Sequence, residues 1–217
     1  MDTRPVFRCH YRAQVKEDAQ NLDALLAECQ KKASEMLDEG KLMTVALYYF
    51  GRQLFLYYEP IGEAFGPECF MEALHPALSP WPQKEASCDW AMMYPVFWHV
   101  KPTDVEQWKR DPARARRRGR IAYLKHETMF EYVYHHFALT QEGLLRGDQY
   151  MTVALHEDVL FSYFEEPRSA VNQTGSEEPS KVIQAWLDVN PPTHFIPLPG
   201  CNGMDFLLLP AYFDMGM

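Results

Sequence analysis

Apolar and polar residues alternate loosely over residues 7–15, which predicts a strand. Leu22, Leu25, Leu26, Cys29, Ala33, Met36 and Leu37 then recur at helical spacing, with Gly40 as the expected stop. Two apolar runs, 43–48 and 54–58, flank Phe50-Gly51-Arg52 and predict a hairpin. A short helix over 68–77 is expected to end at Pro76 and Pro80. Residues 91–100 read as a closing strand. The order then returns. A strand over 120–125 precedes a helix over 130–146 stopped by Gly147. A hairpin of 150–155 and 159–165 turns at His156-Glu157-Asp158, a helix over 181–189 stops at Pro191-Pro192, and 206–213 closes.

Residue identities support a tandem duplication. Met43-Thr44-Val45-Ala46-Leu47 recurs as Met151-Thr152-Val153-Ala154-Leu155. Leu54-Phe55-Leu56-Tyr57-Tyr58-Glu59-Pro60 parallels Leu160-Phe161-Ser162-Tyr163-Phe164-Glu165-Glu166-Pro167. Each copy reads β-α-β-β-α-β, so the expected class is α+β with two ferredoxin-like repeats. Helices cover one face of such a sheet. Strand residues facing opposite to Val45, Leu47, Val153 and Leu155 are uncharged, so the other face also asks for a cover. The expectation is an intramolecular dimeric α+β barrel, sheet packed on sheet, in a chain acting as a monomeric pseudo-dimer or as a homodimer. Its expected parts are a repeat over 1–101, a basic linker over 102–118 and a second repeat over 119–217.

Composition narrows the function classes. The 217 residues are 47% hydrophobic and carry a formal charge of −9, which argues against general affinity for nucleic acid or anionic membrane. The first residues lack an apolar signal region and no run is long enough to span a bilayer, so a cytoplasmic protein is expected. Five scattered cysteines without CxxC spacing read as free thiols and suggest no zinc site. Lys109, Arg110, Arg114, Arg116, Arg117 and Arg118 crowd the linker. No aromatic residues interleave with the arginines, so a solvated segment clamped by acidic partners is expected over a nucleic-acid arm. Residues 172–180 read as a surface loop.

The richest chemistry lies in Glu131-Tyr132-Val133-Tyr134-His135-His136. Tyr132 and His136 are four apart and share a helix face; Glu131 and His135 share another. A phenol beside an imidazole can pass protons near neutral pH. Aligned from the helix stops, the first copy has Leu25 and Cys29 there, so the fold itself does not demand the pair. The alternative is a half-buried histidine packed beside a tyrosine.

Glu131-Tyr132-x-x-x-His136, Gln149-Tyr150-Met151-x-x-x-Leu155 and Leu160-Phe161-x-x-x-Glu165 together resemble L-rhamnose mutarotase, over roughly residues 119–217. That family is a dimeric α+β barrel with a Tyr-x-x-x-His pair on its first helix. The resemblance implies interconversion of sugar anomers without metal or organic cofactor. His136 is then the acid/base, Tyr132 its partner or second proton donor, and Trp186 a stacking platform for a monosaccharide. Tyr134 and His135 are further substrate-binding candidates. The chain departs from the family in having Trp186-Leu187 for a Trp-Trp pair, and Phe137-Ala138 where Asn-Pro follows the histidine.

Two other classes stay open. One is a non-catalytic small-ligand-binding or structural α+β protein. The other is a cofactor-free or haem-linked monooxygenase-like barrel, with His10, His99 or His136 as candidates. His126, His156, His75 and His194 read as turn or loop residues. No phosphate loop, Rossmann glycines, Gly-x-Ser-x-Gly or HExxH is present.

Overall fold

The alternations and helical spacings become a mixed α+β structure in the computed structural model, which describes residues 1–82, 87–111, 116–143 and 146–217. Its main strands are β1 (Cys9–Val15), β2 (Leu42–Phe50), β3 (Gln53–Pro60), β4 (Tyr94–Trp98), β5 (Arg116–Leu124), β6 (Thr152–His156), β7 (Val159–Glu166) and β8 (Ala211–Gly216). Its helices are α1 (Leu22–Asp38), α2 (Glu68–Met71), α3 (Val105–Trp108), α4 (Met129–Glu142) and α5 (Lys181–Asp188). Short 3₁₀ segments, Glu72–Ala77 and Pro191–His194, continue from α2 and α5.

The chain divides into two units that do not follow the sequence halves. Unit 1 comprises Met1–Met93, Pro102–Ala113 and Pro210–Met217; unit 2 comprises Tyr94–Lys101 and Arg114–Leu209. The unit 1 sheet runs β8-β2-β3-β1, and the unit 2 sheet runs β5-β7-β6-β4, all antiparallel. Each segment expected to close one repeat is split. Ala91–Met92 pairs with β1 in unit 1, and β4, starting two residues later, pairs with β6 in unit 2. Leu207–Leu208 pairs with β5 in unit 2, and β8 then pairs with β2 in unit 1. The two compact units therefore draw their last strands from different stretches of chain than the expected spans 1–101 and 119–217. Prolines stand near both changes of sheet: Pro95 opens a bulged pairing with β6, and the Pro210 carbonyl accepts from the Tyr49 amide.

The linker expectation over 102–118 also changes. The Asp104 carboxylate caps α3 by accepting from the Gln107 amide at 2.9 Å, and Arg116, Arg117 and Arg118 open β5. Arg114 lies outside the described residues. Helix α4 ends at Glu142, before the expected Gly147, because Gly143 takes the left-handed conformation at φ 68°. Gly147 serves a different need: a Cβ there would come within 2.5 Å of the His99 ring. Residues 144–145 lie outside the described residues.

The two hairpins share a turn length, and the register this sets differs from that of the shared strings. Two-residue turns join Phe50 to Gln53 and His156 to Val159, which makes Leu54 equivalent to Leu160. On that register Leu155 matches Tyr49, so the shared Met-Thr-Val-Ala-Leu strings sit two residues apart. An even slip keeps every side chain on its own face, which is why the string persists. A deeper identity holds on the face away from the helices. The Tyr57 hydroxyl donates to the Glu59 carboxylate, and the Tyr163 hydroxyl donates to Glu165 at 2.6 Å.

Each unit has its own core. In unit 1, Leu26, Cys29, Ala33 and Met36 of α1 pack on Ala13, Val45, Leu47, Leu54, Leu56 and Phe213. In unit 2, Tyr132 and Leu139 of α4 pack on Ala122, Leu124, Val153 and Leu160, with Val182, Ile183 and Trp186 of α5 alongside. The sheet face away from the helices carries Phe55 and Tyr57 beside buried His10, Arg12 and Glu59 in unit 1, and Ile121, Phe161 and Tyr163 beside buried Glu165 in unit 2, so aromatic and polar residues mix there where a plain apolar face was expected.

Candidate functional site

The proton-transfer candidates sit on the first turns of α4, where the sheet-facing stripe is Tyr132, His136 and Leu139. From the Gly143 cap, the first-copy counterparts of Tyr132 and His136 become Cys29 and Ala33, replacing the expected Leu25 and Cys29. Ser180 caps α5, its Oγ accepting from the Ile183 amide at 2.9 Å, and this sets Trp186 over α4. The structure thus brings Tyr132, His136 and Trp186 together. The Tyr132 and His136 rings stack at 3.8 Å with 19° between planes. Trp186 meets them edge-on, at 4.8 Å from His136 and 5.6 Å from Tyr132.

His135 joins the same cluster at 5.5 Å from Trp186, and His194 at 4.9 Å. His194, which sequence reading left as a loop residue, is fully buried and faces acceptors with both ring nitrogens: Glu131 at 3.0 Å and the Pro191 carbonyl at 3.2 Å. Tyr134 points away. It is 68% exposed and touches only the edge of His135 in this group.

Electrostatics hold the central pair in neutral forms. The His136 Nδ1 lies 2.9 Å from the Tyr132 carbonyl, so it carries the ring proton and donates. Burial, opposed by that bond, pushes the imidazole down to about 4, and burial raises the Tyr132 phenol well above its ordinary value. His136 is therefore expected to stay uncharged on acidification until about pH 4; an NMR titration of its ring protons with a midpoint near 6.5 contradicts this placement.

Arg120, whose charge Tyr132 feels, and its partner Ser162 are absent from the sequence-derived candidates. Arg120 lies two residues before Ala122 on β5, on the helix-covered face, and its Nε donates to Ser162 Oγ at 3.3 Å. The repeat contained the signal. In register, Arg120 replaces Tyr11, Ser162 replaces Leu56 and Tyr132 replaces Cys29. Three positions that are apolar or weakly polar in one copy are polar in the other and adjoin one another.

The remaining histidines disperse. His10 lies buried in unit 1, 5.0 Å from the Tyr57 ring, with its ring pushed down to about 3 by burial and then by Arg8. His99 Nε2 lies 3.0 Å from the Val171 carbonyl in unit 2. His126 is 3.7 Å from Asp158 at the surface, and His156 begins the β6–β7 turn. His75 pairs with Asp89 at 2.6 Å beside a unit 1 cleft of about 530 Å³ lined by Tyr11, Met71 and Trp90. Among the described residues, no group of three or more His, Cys, Asp or Glu is arranged to hold a metal ion, and no helix is long and apolar enough to cross a membrane.

Fold and site together define an α+β chain of antiparallel sheets with an aromatic–histidine cluster and an adjoining arginine in its second unit. No family model and no curated protein matches the chain. Among solved structures, a provisionally assigned monooxygenase from Fusobacterium nucleatum subsp. nucleatum is 7% identical, with a TM-score of 0.42 over 100% of this chain and 96% of that one. Another, from Lactobacillus acidophilus, is 7% identical with a TM-score of 0.41 over 98% of this chain and 96% of that one. An anthrone oxidase-like protein is 7% identical with a TM-score of 0.37 over 99% and 94% of the two chains.

Proposed function

We infer that this chain is a small-ligand-binding α+β protein whose Tyr132–His136 pair performs no acid–base catalysis. One observation carries the reading: the two rings spend their faces on each other, 3.8 Å apart, with Trp186 closing their edges. An aldose seated for ring opening needs the imidazole and a second proton donor on either side of its anomeric carbon. A stacked pair offers it no space between them. An imidazole held near 4 is also a weak proton acceptor at neutral pH. The finer fold reading accompanies this proposal: two ferredoxin-like repeats forming an intramolecular barrel, supported by the buried, aromatic-rich faces that both sheets carry away from their helices.

Sugar mutarotation is the second reading. Its support is the convergence of Tyr132, His136 and Trp186, three residues that the sequence resemblance selected from two helices. Magnetisation-transfer NMR on a panel of free aldoses, L-rhamnose included, separates the two. Anomer exchange at the spontaneous rate is expected for every sugar. Faster exchange that disappears in His136→Ala establishes the mutarotase and ends the non-catalytic reading.

A further inference from the structure

The unmatched charge in unit 2 points to the kind of ligand. Arg120 is half-buried between the sheet and its helices. Beyond the Ser162 bond, its Nη2 lies 3.7 Å from the Met151 thioether, and its Cζ stands 4.5 Å from the Phe206 ring and 5.2 Å from the Phe164 ring. A guanidinium offers five N–H donors, and one hydroxyl with one thioether leaves most of them unmatched. Among the described residues no carboxylate forms an ion pair with it. Asp148, whose charge favours it, lies on a separate two-stranded sheet and is paired with Arg168 at 2.8 Å. Asp205 adjoins Phe206 in sequence and makes no ion pair with Arg120. Burial, reinforced by Arg168 and opposed by Tyr132 and Asp148, lowers the Arg120 pKa.

Two independent observations aim the same way. The Tyr132 hydroxyl belongs to a side chain only 1% exposed and feels the Arg120 charge. The first copy, moreover, builds this place from Tyr11, Leu56 and Cys29, so the fold is stable without the arginine, the serine and the phenol.

We propose that Arg120, aided by Arg168 and the Tyr132 hydroxyl, recognises the carboxylate of a small organic acid whose apolar body lies against Phe164, Phe206 and Met151. A guanidinium suits a carboxylate because two parallel N–H bonds meet its two oxygens. Arg168, paired with Asp148, stacks 3.8 Å from the Phe164 ring and borders the same place. This inference rests on the small-ligand reading above and names the class of ligand for it.

Titration calorimetry on the full chain tests it, with butanoate, hexanoate and benzoate against their amides, and with inorganic phosphate. The organic acids are expected to bind about tenfold or more tightly than the amides, the worth of a charge-assisted pair. Arg120→Met is expected to abolish acid binding while the melting temperature holds or rises, since a thioether beside Met151 and two phenylalanines replaces a buried charge that lacks a carboxylate. Arg120→Lys keeps the charge without the fork and is expected to bind about tenfold more weakly, which reads the site even if the methionine variant misfolds. Arg146→Gln, at an exposed pair with Glu177, is the control and leaves binding unchanged. Amides that bind as well as acids overturn the carboxylate inference and leave the ligand-binding reading standing. Preference for inorganic phosphate overturns the organic acid. Wild-type protein that binds none of the probes overturns the inference, while faster anomer exchange is what overturns the underlying reading.

Discussion

Replacing Glu59 with alanine is expected to destabilise the protein by about 3–5 kcal/mol, the usual cost of leaving the partner of a buried ion pair without its counter-charge. Glu59 is fully buried on β3, and four donors converge on it. Arg110 reaches both of its oxygens at 2.7 Å, the Trp108 indole donates at 3.0 Å, and the Tyr57 hydroxyl completes the set. The Arg110 side chain is only 4% exposed, so alanine at 59 takes the bidentate carboxylate from a buried guanidinium. The indole and the phenol lose an acceptor as well. Denaturant unfolding of Glu59→Ala measures the cost, and a loss below about 1 kcal/mol removes Glu59 from this role. Arg110→Met placed on the same background is expected to recover much of it, because the buried charge goes too.

The same carboxylate predicts an acid limb. Burial alone raises a carboxyl pKa, but Arg110 and the hydrogen bonds from Arg110, Trp108 and Tyr57 outweigh it and hold Glu59 at about 2, below the ordinary 4.5. A depressed folded-state value means stability that is fully present above pH 4.5 and is lost as pH falls toward 2. The difference is worth about 3 kcal/mol. Unfolding free energy measured between pH 5 and 2 is expected to fall more steeply in the natural protein than in Glu59→Gln.

The second large effect concerns strand β8. Deleting residues 210–217 is expected to strip protection from β2 in unit 1, although those residues end the second copy in sequence. Strand β8 pairs Ala211 with Tyr48, Phe213 with Leu47, Asp214 with Ala46, Met215 with Val45 and Gly216 with Thr44. Without it β2 becomes a bare edge whose donors and acceptors lose their partners. Phe213 also fills the core beside Leu47 and Leu56. Phe213→Ala alone is expected to cost about 3–5 kcal/mol, as truncations of buried aromatics do. Amide hydrogen exchange reads the location: β2 amides should exchange faster while β5 and β7 keep their protection. Loss centred on β5 and β7 would mean that β8 belongs with the second copy after all.

Much of this was legible in the chain. Residues 22–38 repeat apolar side chains at helical spacing, and the runs around Gly51 and Asp158 alternate as hairpin strands, so local periodicity sufficed for α1, β2, β3, β6 and β7. Tyr132 and His136, four apart, were bound to share a face, and Trp186 was flagged with them. Short-range rules reach that far because neighbours in a helix or a hairpin are neighbours in sequence.

Pairing between distant strands lies beyond such rules. Residues 91–100 and 206–213 read as closing strands, but an edge strand carries no mark of which hairpin it will join, and only the assembled sheets placed β4 on β6 and β8 on β2. The stop of α4 moved to Gly143 because two glycines were available and only backbone conformation chose between them. Arg120 stood in plain sight as the first residue of an expected strand. Its position on the helix-covered face, against Ser162 and near the Tyr132 hydroxyl, became visible once β5 and β7 were in register. Periodicity along the chain determined the elements and their inward faces; the partners of each edge and the setting of each buried charge were decided by long-range contact, because both depend on what surrounds a residue in space rather than on what adjoins it in sequence.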